Sequence, residues 1–294
     1  MLLYRNKSAM KRSVIILNIL AAFLFSCQQA QKQTTEESSA PKWKKPGRIA
    51  YEVKNAKAWL SDSSKTNSEQ EIVFAVNRTD RANFGKIDSV IVPVDISGDL
   101  AYYLPFPLEV SYLKDIKKIV FFSYATQTFA AYENGYLVRT GPTNMGREKD
   151  QTPTGLFFTN WKAKKTISTF NDEWELRWNF NIANKAGVGW HQYSLPGYPA
   201  SHSCLRLSEK DAKYLYDWAD KWILENKNKI QVKGTPVIVF GSYDFKAPKP
   251  WLKLVSNPHV LDISENEIKQ VTAPFLNEIL AEQMNRMDFQ ANNP

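Results

Sequence analysis

Two cysteines and three histidines occur in the 294 residues, and two of the histidines, His191 and His202, lie within thirteen positions of Cys204. A thiol is a modest nucleophile at neutral pH until a base or a positive field draws its proton away. Imidazole is the usual partner for that task. His202 is two residues from Cys204, so on an extended chain both side chains leave the same face. His191 closes on the other side of a Pro/Gly-rich loop and can reach back across it. Residue spacing alone does not rank one histidine over the other. Ser208 follows closely as a helix N-cap, which puts Cys204 just upstream of a helix N-terminus, where the dipole favours a thiolate. His259 stands apart, with no metal-like spacing around it. No Cys/His cluster, phosphate loop or dinucleotide fingerprint is present, so neither a metal nor a cofactor is expected.

These residues need a frame, and the pattern around them is mostly β. Ile119 to Ser123 is an apolar run, Thr128 to Tyr132 follows, and Glu133-Asn134-Gly135 signals a hairpin into Tyr136 to Thr140. A Gly/Pro/Asn-rich loop, Gly141 to Asp150, leads to another strand at Leu156 to Thr159. Aromatic alternation at Trp174, Leu176 and Trp178, and again at Val188 and Trp190, predicts further strands. Ser208 opens the one clear helix, with Asp211 at the capping-box position. Ala212, Leu215, Tyr216 and Ala219 repeat at helical spacing, and Trp222 and Ile223 continue that face. Pro236 to Phe240 reads as a buried final strand. Beyond it, Ile263 to Met287 is amphipathic, with Pro274 breaking or starting a helix.

The run Pro196-Gly197-Tyr198-Pro199-Ala200-Ser201-His202-Ser203-Cys204-Leu205-Arg206-Leu207 resembles the signature of YkuD-type L,D-transpeptidases, in which Ser-His-Gly-Cys and a following Arg are typical. Thr152-Pro153-Thr154-Gly155-Leu156-Phe157 is similar to that family's Thr-Pro-x-Gly-x-Phe segment. The resemblance covers about Ile116 to Phe240. The resemblance implies a mostly-β sandwich with Cys204 at the mouth of a cleft. It implies that Cys204 attacks the third residue of a peptidoglycan stem peptide, expels the terminal D-residue, and passes the acyl group to an amine or to water. It assigns the base to His191, leaves His202 and Ser201 to order the loop and the substrate, and gives the Ser203 and Cys204 amides the oxyanion. Arg206 would brace the loop or meet a substrate carboxylate. Ser203 stands where Gly is usual, so a positive φ there would cost roughly 1–2 kcal/mol.

The N-terminus reads as an address. Lys11 and Arg12 precede an apolar stretch, Val14 to Phe25, which as a helix spans only about 18 Å against a hydrocarbon core of about 30 Å. A signal peptide over residues 1–27 is expected, and Leu24-Phe25-Ser26-Cys27 resembles a lipobox, with Cys27 as the lipidated residue. Cys204 is then the sole thiol of the mature fold. Residues 28–46 are polar and aperiodic and read as a tether. Residues 47–112 form a small α/β region, within which Ile72 to Pro93 resembles the second half of a LysM glycan-binding module. The catalytic domain is expected at 113–242 and a helical C-terminal extension at 243–294.

With 43% hydrophobic residues the chain can bury one sizeable core, and it is too polar for many membrane spans. The net charge of +8 includes four basic side chains ahead of the apolar stretch, and no block of like charges marks a nucleic-acid partner. The reading is therefore a monomeric, lipid-anchored envelope protein facing the periplasm, from the outer membrane rather than the inner, since Gln28 offers no retention signal. Two alternatives share the residues: an L,D-carboxypeptidase or amidase on the same scaffold, and a catalytically dead peptidoglycan-binding lipoprotein.

Overall fold

The computed structural model describes residues 40–168 and 175–293. The leader, Cys27, most of the expected tether and Trp174 lie outside them. A small α/β region comes first: strand β1 (Tyr51–Asn55), helices α1 (Ala56–Ser61), α2 (Asn67–Val76) and α3 (Arg81–Phe84), and strand β2 (Ser89–Pro93), antiparallel to β1. Helix α2 begins where Thr66 and Glu69 form a full capping box. Ile72, Val76 and Ile91 pack on one side of this region, and Val73, Phe84 and Val90 on the other.

The central part is a two-sheet sandwich. Its strands are β3 (Ile119–Ser123), β4 (Thr128–Glu133), β5 (Tyr136–Pro142), β6 (Gly155–Phe158), β7 (Lys162–Ile167), β8 (Glu175–Ala183), β9 (Val188–Gln192) and β10 (Leu205–Leu207). Helix α4 (Glu209–Trp218), the hairpin β11 (Ile223–Asn226) and β12 (Lys229–Val232), and strand β13 (Pro236–Phe240) complete it. One sheet has the order β5-β4-β3-β13-β6 and the other β10-β9-β8-β7. Asn134 and Gly135 both adopt positive φ, 48° and 83°, which turns the β4–β5 hairpin with the twist its strands need.

The apolar runs of β3 and β13 follow from burial on both faces. Val120, Phe122, Val237 and Val239 point between the sheets, where they meet Phe180, Trp190, Leu205 and Leu207. Ile119, Phe121, Ile238 and Phe240 point the other way, toward Leu113, Ile263, Ile268 and Ile279. Each fully buried Phe contributes roughly 1.5–3 kcal/mol. The second layer includes the C-terminal helices α5 (Glu265–Thr272) and α6 (Leu276–Asn292), separated at Pro274 by a 3-10 turn over Ala273–Phe275. No helix among the described residues is long and apolar enough to cross a membrane.

Three expectations change. Helix α4 stops at Trp218, so Trp222 and Ile223 do not extend its face; Ile223 opens β11. The chain is drawn out of the helix at Asp220, whose amide donates to Thr235 Oγ1 (2.9 Å) and whose carbonyl accepts from the Thr235 amide (3.2 Å). At the other end Ser208 caps α4, accepting from the Asp211 amide at 3.1 Å. The Asp211 carboxylate stays at the cap but accepts from the Ser208 hydroxyl (2.7 Å) rather than from its amide, and its other oxygen lies 2.6 Å from Arg139 Nη2. Finally, Leu176 and Trp178 do not share a face: Leu176 lines a cleft, whereas Trp178 packs on Tyr216 of α4. A bulge in β8 separates them, with Trp178 at φ +54° and the register to β9 broken between Arg177 and Phe180.

Candidate active site

The site is built on the parallel pair β9–β10, in which Leu205 lies opposite Trp190 and Arg206 opposite His191. Strand alternation sends Trp190, Leu205 and Leu207 into the core. The opposite phase carries His191 and Arg206 into a cavity of about 110 Å³, and Cys204, one step before β10, faces it too. Gly189 is required beneath the thiol, because a Cβ there would lie 2.4 Å from the Phe180 carbonyl oxygen.

His191 is 4% exposed, and its Nδ1 lies 3.0 Å from the Gln192 carbonyl oxygen. A carbonyl only accepts, so Nδ1 carries the proton and Nε2 keeps its lone pair. Burial draws His191 down to about 4, so the ring is neutral at pH 7 and competent to take a proton. Burial pushes the Cys204 thiol up from its ordinary value, opposed by the Gly189 amide and Arg206. The expected helix-dipole activation does not appear, because β10 separates Cys204 from α4. At neutral pH the two groups rest as a neutral thiol and a neutral imidazole.

His202 also lines the cavity, but its Nδ1 accepts from Arg147 Nη2 at 3.1 Å. Asp150 closes this cluster, with Oδ2 2.5 Å from Arg147 Nε and 3.5 Å from His202 Nδ1. Burial, then Arg147, lower the His202 pKa.

The loop bearing the thiol is tied on every side. Ser201 is fully buried, and its hydroxyl donates to the Cys204 carbonyl at 2.6 Å. Ser203 adopts φ +78°, the left-handed conformation that costs a non-glycine residue about 1–2 kcal/mol. Thr152 of the Thr-Pro-x-Gly segment holds that conformation, donating to the Ser203 carbonyl and accepting from the Gly146 amide, each at 2.9 Å. Asn144 pairs with Arg206 through two backbone hydrogen bonds of 2.9 Å. Among the described residues, the Ser203 and Cys204 amides donate to no protein acceptor. Two adjacent N–H groups beside a thiol suit a developing oxyanion.

Every residue singled out for this loop therefore meets at one cavity or directly behind it. Tyr193, Asn179, Asn181 and the brace Asn144 were not singled out by residue type. Tyr193 touches both partners: its ring lies 4.5 Å from the Arg206 guanidinium carbon and 5.9 Å from the His191 ring centre. Its position two residues after His191 was the available signal.

Residues 117–239 match the model of the L,D-transpeptidase catalytic domain, YkuD. The match runs across the two-sheet sandwich, so that part of the chain is similar to a YkuD-type L,D-transpeptidase catalytic domain. Solved structures of L,D-transpeptidases align with it over the same share of the chain. The one from Stackebrandtia nassauensis is 24% identical and covers 43% of this chain and 57% of its own, with a TM-score of 0.36. The one from Mycobacterium smegmatis is 22% identical over 43% and 59%, with a TM-score of 0.34. One from Mycobacterium tuberculosis is 22% identical over 43% and 58%, also at 0.34. The aligned part thus spans less than two thirds of each of these proteins. No curated protein matches the chain.

Proposed function

We propose that the protein is a peptidoglycan L,D-transpeptidase working through a Cys204 acyl-enzyme. The observation that carries this reading is the His191 tautomer: Nδ1 donates to Gln192, which leaves Nε2 with its lone pair on a ring that lines the same cavity as Cys204. As Sγ attacks the carbonyl carbon of the third stem residue, His191 Nε2 takes the thiol proton. The carbonyl oxygen becomes an oxyanion held by the Ser203 and Cys204 amides. Collapse breaks the peptide bond to the terminal D-residue, whose amine leaves with the proton from His191. An acceptor amine then attacks the thioester, gives its proton to His191 and regenerates the thiol. Water in place of that amine gives carboxypeptidase activity on the same residues. Arg206 meets a substrate carboxylate or braces the loop, and His202, held by Arg147, orders the rim.

The lipidation of Cys27 and anchoring in the cell envelope are parts of the same proposal. Membrane fractionation of Cys27→Ser checks them, and a variant that remains in the membrane fraction contradicts them.

The activity is tested by incubating the full chain with a stem tetrapeptide and a second stem as acceptor. A dimer joined between third residues identifies a transferase, and tripeptide alone identifies a carboxypeptidase. Neither product, with Cys204→Ala indistinguishable from the parent, supports the binding-only alternative.

A further inference from the structure

The β8 bulge has a consequence for the cleft floor. In an unbroken strand Leu176 and Trp178 would share a face; with one extra residue inserted, Leu176, Asn179 and Asn181 do, and all three line the cavity beside Cys204. Trp178, Phe180 and Ile182 take the other face and pack in the core. A non-glycine residue at φ +54° is held at a cost, and the cost delivers two amides to the floor.

Those amides are buried, 5% exposed for Asn179 and 4% for Asn181. Asn181 Oδ1 accepts from Asn160 Nδ2 at 2.9 Å, which aims its own N–H groups elsewhere. Among the described residues the Asn179 side-chain amide has no protein partner. Its polar atoms are reachable from the cleft, where a ligand group can pair with them in place of solvent. Arg206 is the one formally charged side chain among the described residues that line the cavity, once both histidines are neutral. The floor therefore suits neutral hydrogen-bonding groups.

The spacing narrows the choice further. Residues two apart on a strand lie roughly 6.6 Å apart, far enough for the two side-chain amides to meet separate amide groups of one peptide. We propose that Asn179 and Asn181 are the binding residues for the backbone of the acyl-donor peptide, which lies along β8 with separate amide groups on the two side chains. Asn181 donates to a ligand carbonyl, and Asn179 offers both a donor and an acceptor. This subsite rests on the peptidyl-transfer reading of the same cleft.

The test measures KM and kcat for a stem tetrapeptide, and its binding to Cys204→Ala by calorimetry, in the parent and in Asn179→Ala and Asn181→Ala. Asn179→Leu, which preserves volume, stands in if the alanine variant unfolds. Each lost amide should raise KM or Kd about 3- to 10-fold, the size of a neutral hydrogen bond, with kcat changed less than 2-fold. The rate of Cys204 alkylation by iodoacetamide, too small to span the floor, should not change. Tetrapeptides carrying single amide-to-ester replacements away from the scissile bond should bind the parent more weakly, and that penalty should vanish in the matching Asn variant. Unchanged KM and Kd in all variants, or ester penalties that persist in them, overturn the subsite while leaving the transpeptidase reading intact. Asn-dependent binding without turnover keeps the subsite and sinks the activity. A tetrapeptide that neither binds nor reacts overturns both.

Discussion

The cleft around Cys204 and the junction at the end of α2 are built from similar materials and use them oppositely. Each has a buried ionisable side chain and a non-glycine residue at positive φ, Ser203 at 78° in the cleft and Arg78 at 56° in the junction. Arg78 is 1% exposed, and it donates to the carbonyls of Ala75 and Val76 at 2.8 Å and of Thr126 at 2.7 Å. It satisfies carbonyls at the end of α2 and ties that helix to the sandwich, with its guanidinium carbon 5.4 Å from the centre of the Trp251 ring. Burial draws it down to about 9, which leaves it cationic at neutral pH. In the cleft, by contrast, the Ser203 and Cys204 amides and the Asn179 side chain have no protein partner among the described residues. Strain with its donors spent inward builds a joint, and strain with donors left open builds a site.

The contrast is most easily broken at His191. His191→Ala should slow acylation by about 10²–10⁴-fold, the loss typical of a general base. An unchanged acylation rate in that variant would move the role to His202. Arg78→Met should do the reverse. The Val76 and Thr126 carbonyls lose their donor, while that of Ala75 keeps the backbone amide of residue 78, so stability should fall by about 3–5 kcal/mol in denaturant titrations while the folded fraction keeps its turnover. Wild-type stability there would remove the junction from the account.

The pH dependence separates the regions further. The unfolded chain protonates a histidine near 6.5, whereas folded His191 protonates only near about 4. Below pH 6.5 the unfolded state therefore binds more protons, and stability falls as the pH drops from 6.5 toward 4, by about 3 kcal/mol over that window. His191→Ala should flatten the slope, and an unaltered slope would mean the ring is not buried as described. The smallest effect belongs to Ser203→Gly. It relieves the left-handed strain but adds chain entropy to the unfolded state and loses the 3.2 Å bond from Ser203 Oγ to Asp150. A net gain below about 1 kcal/mol is expected. A clear loss would show that the Ser203 hydroxyl outweighs its backbone cost.

Much of this was legible in residue types. The Cys204 loop and its two histidines stood out because so few such residues occur. The runs of β3 and β13, the Asn134-Gly135 turn, the Ser208 cap and the Pro274 break each follow from a local rule that tertiary structure left standing. The conditional strain at Ser203 is realised in its φ. Strand β7, Lys-Ala-Lys-Lys-Thr-Ile, escaped because it is a lysine-rich edge strand with little apolar alternation. The floor of the cleft escaped for a different reason. Nothing local marks the bulge at Trp178, and one inserted residue reverses the face of everything after it. The state of the thiol was misjudged because proximity to a helix in sequence is not proximity to its dipole, and burial prevailed.

The central claim is that Cys204 becomes acylated by a stem peptide. Intact-mass spectrometry of the full chain, quenched in acid within seconds of mixing with tetrapeptide and without acceptor, tests it most directly. The predicted result is an added mass equal to the tripeptide acyl group, mapped by fragmentation to Cys204 and absent from Cys204→Ala. A folded protein that releases product with no such adduct under any quench time, or whose adduct persists in Cys204→Ala, would contradict it.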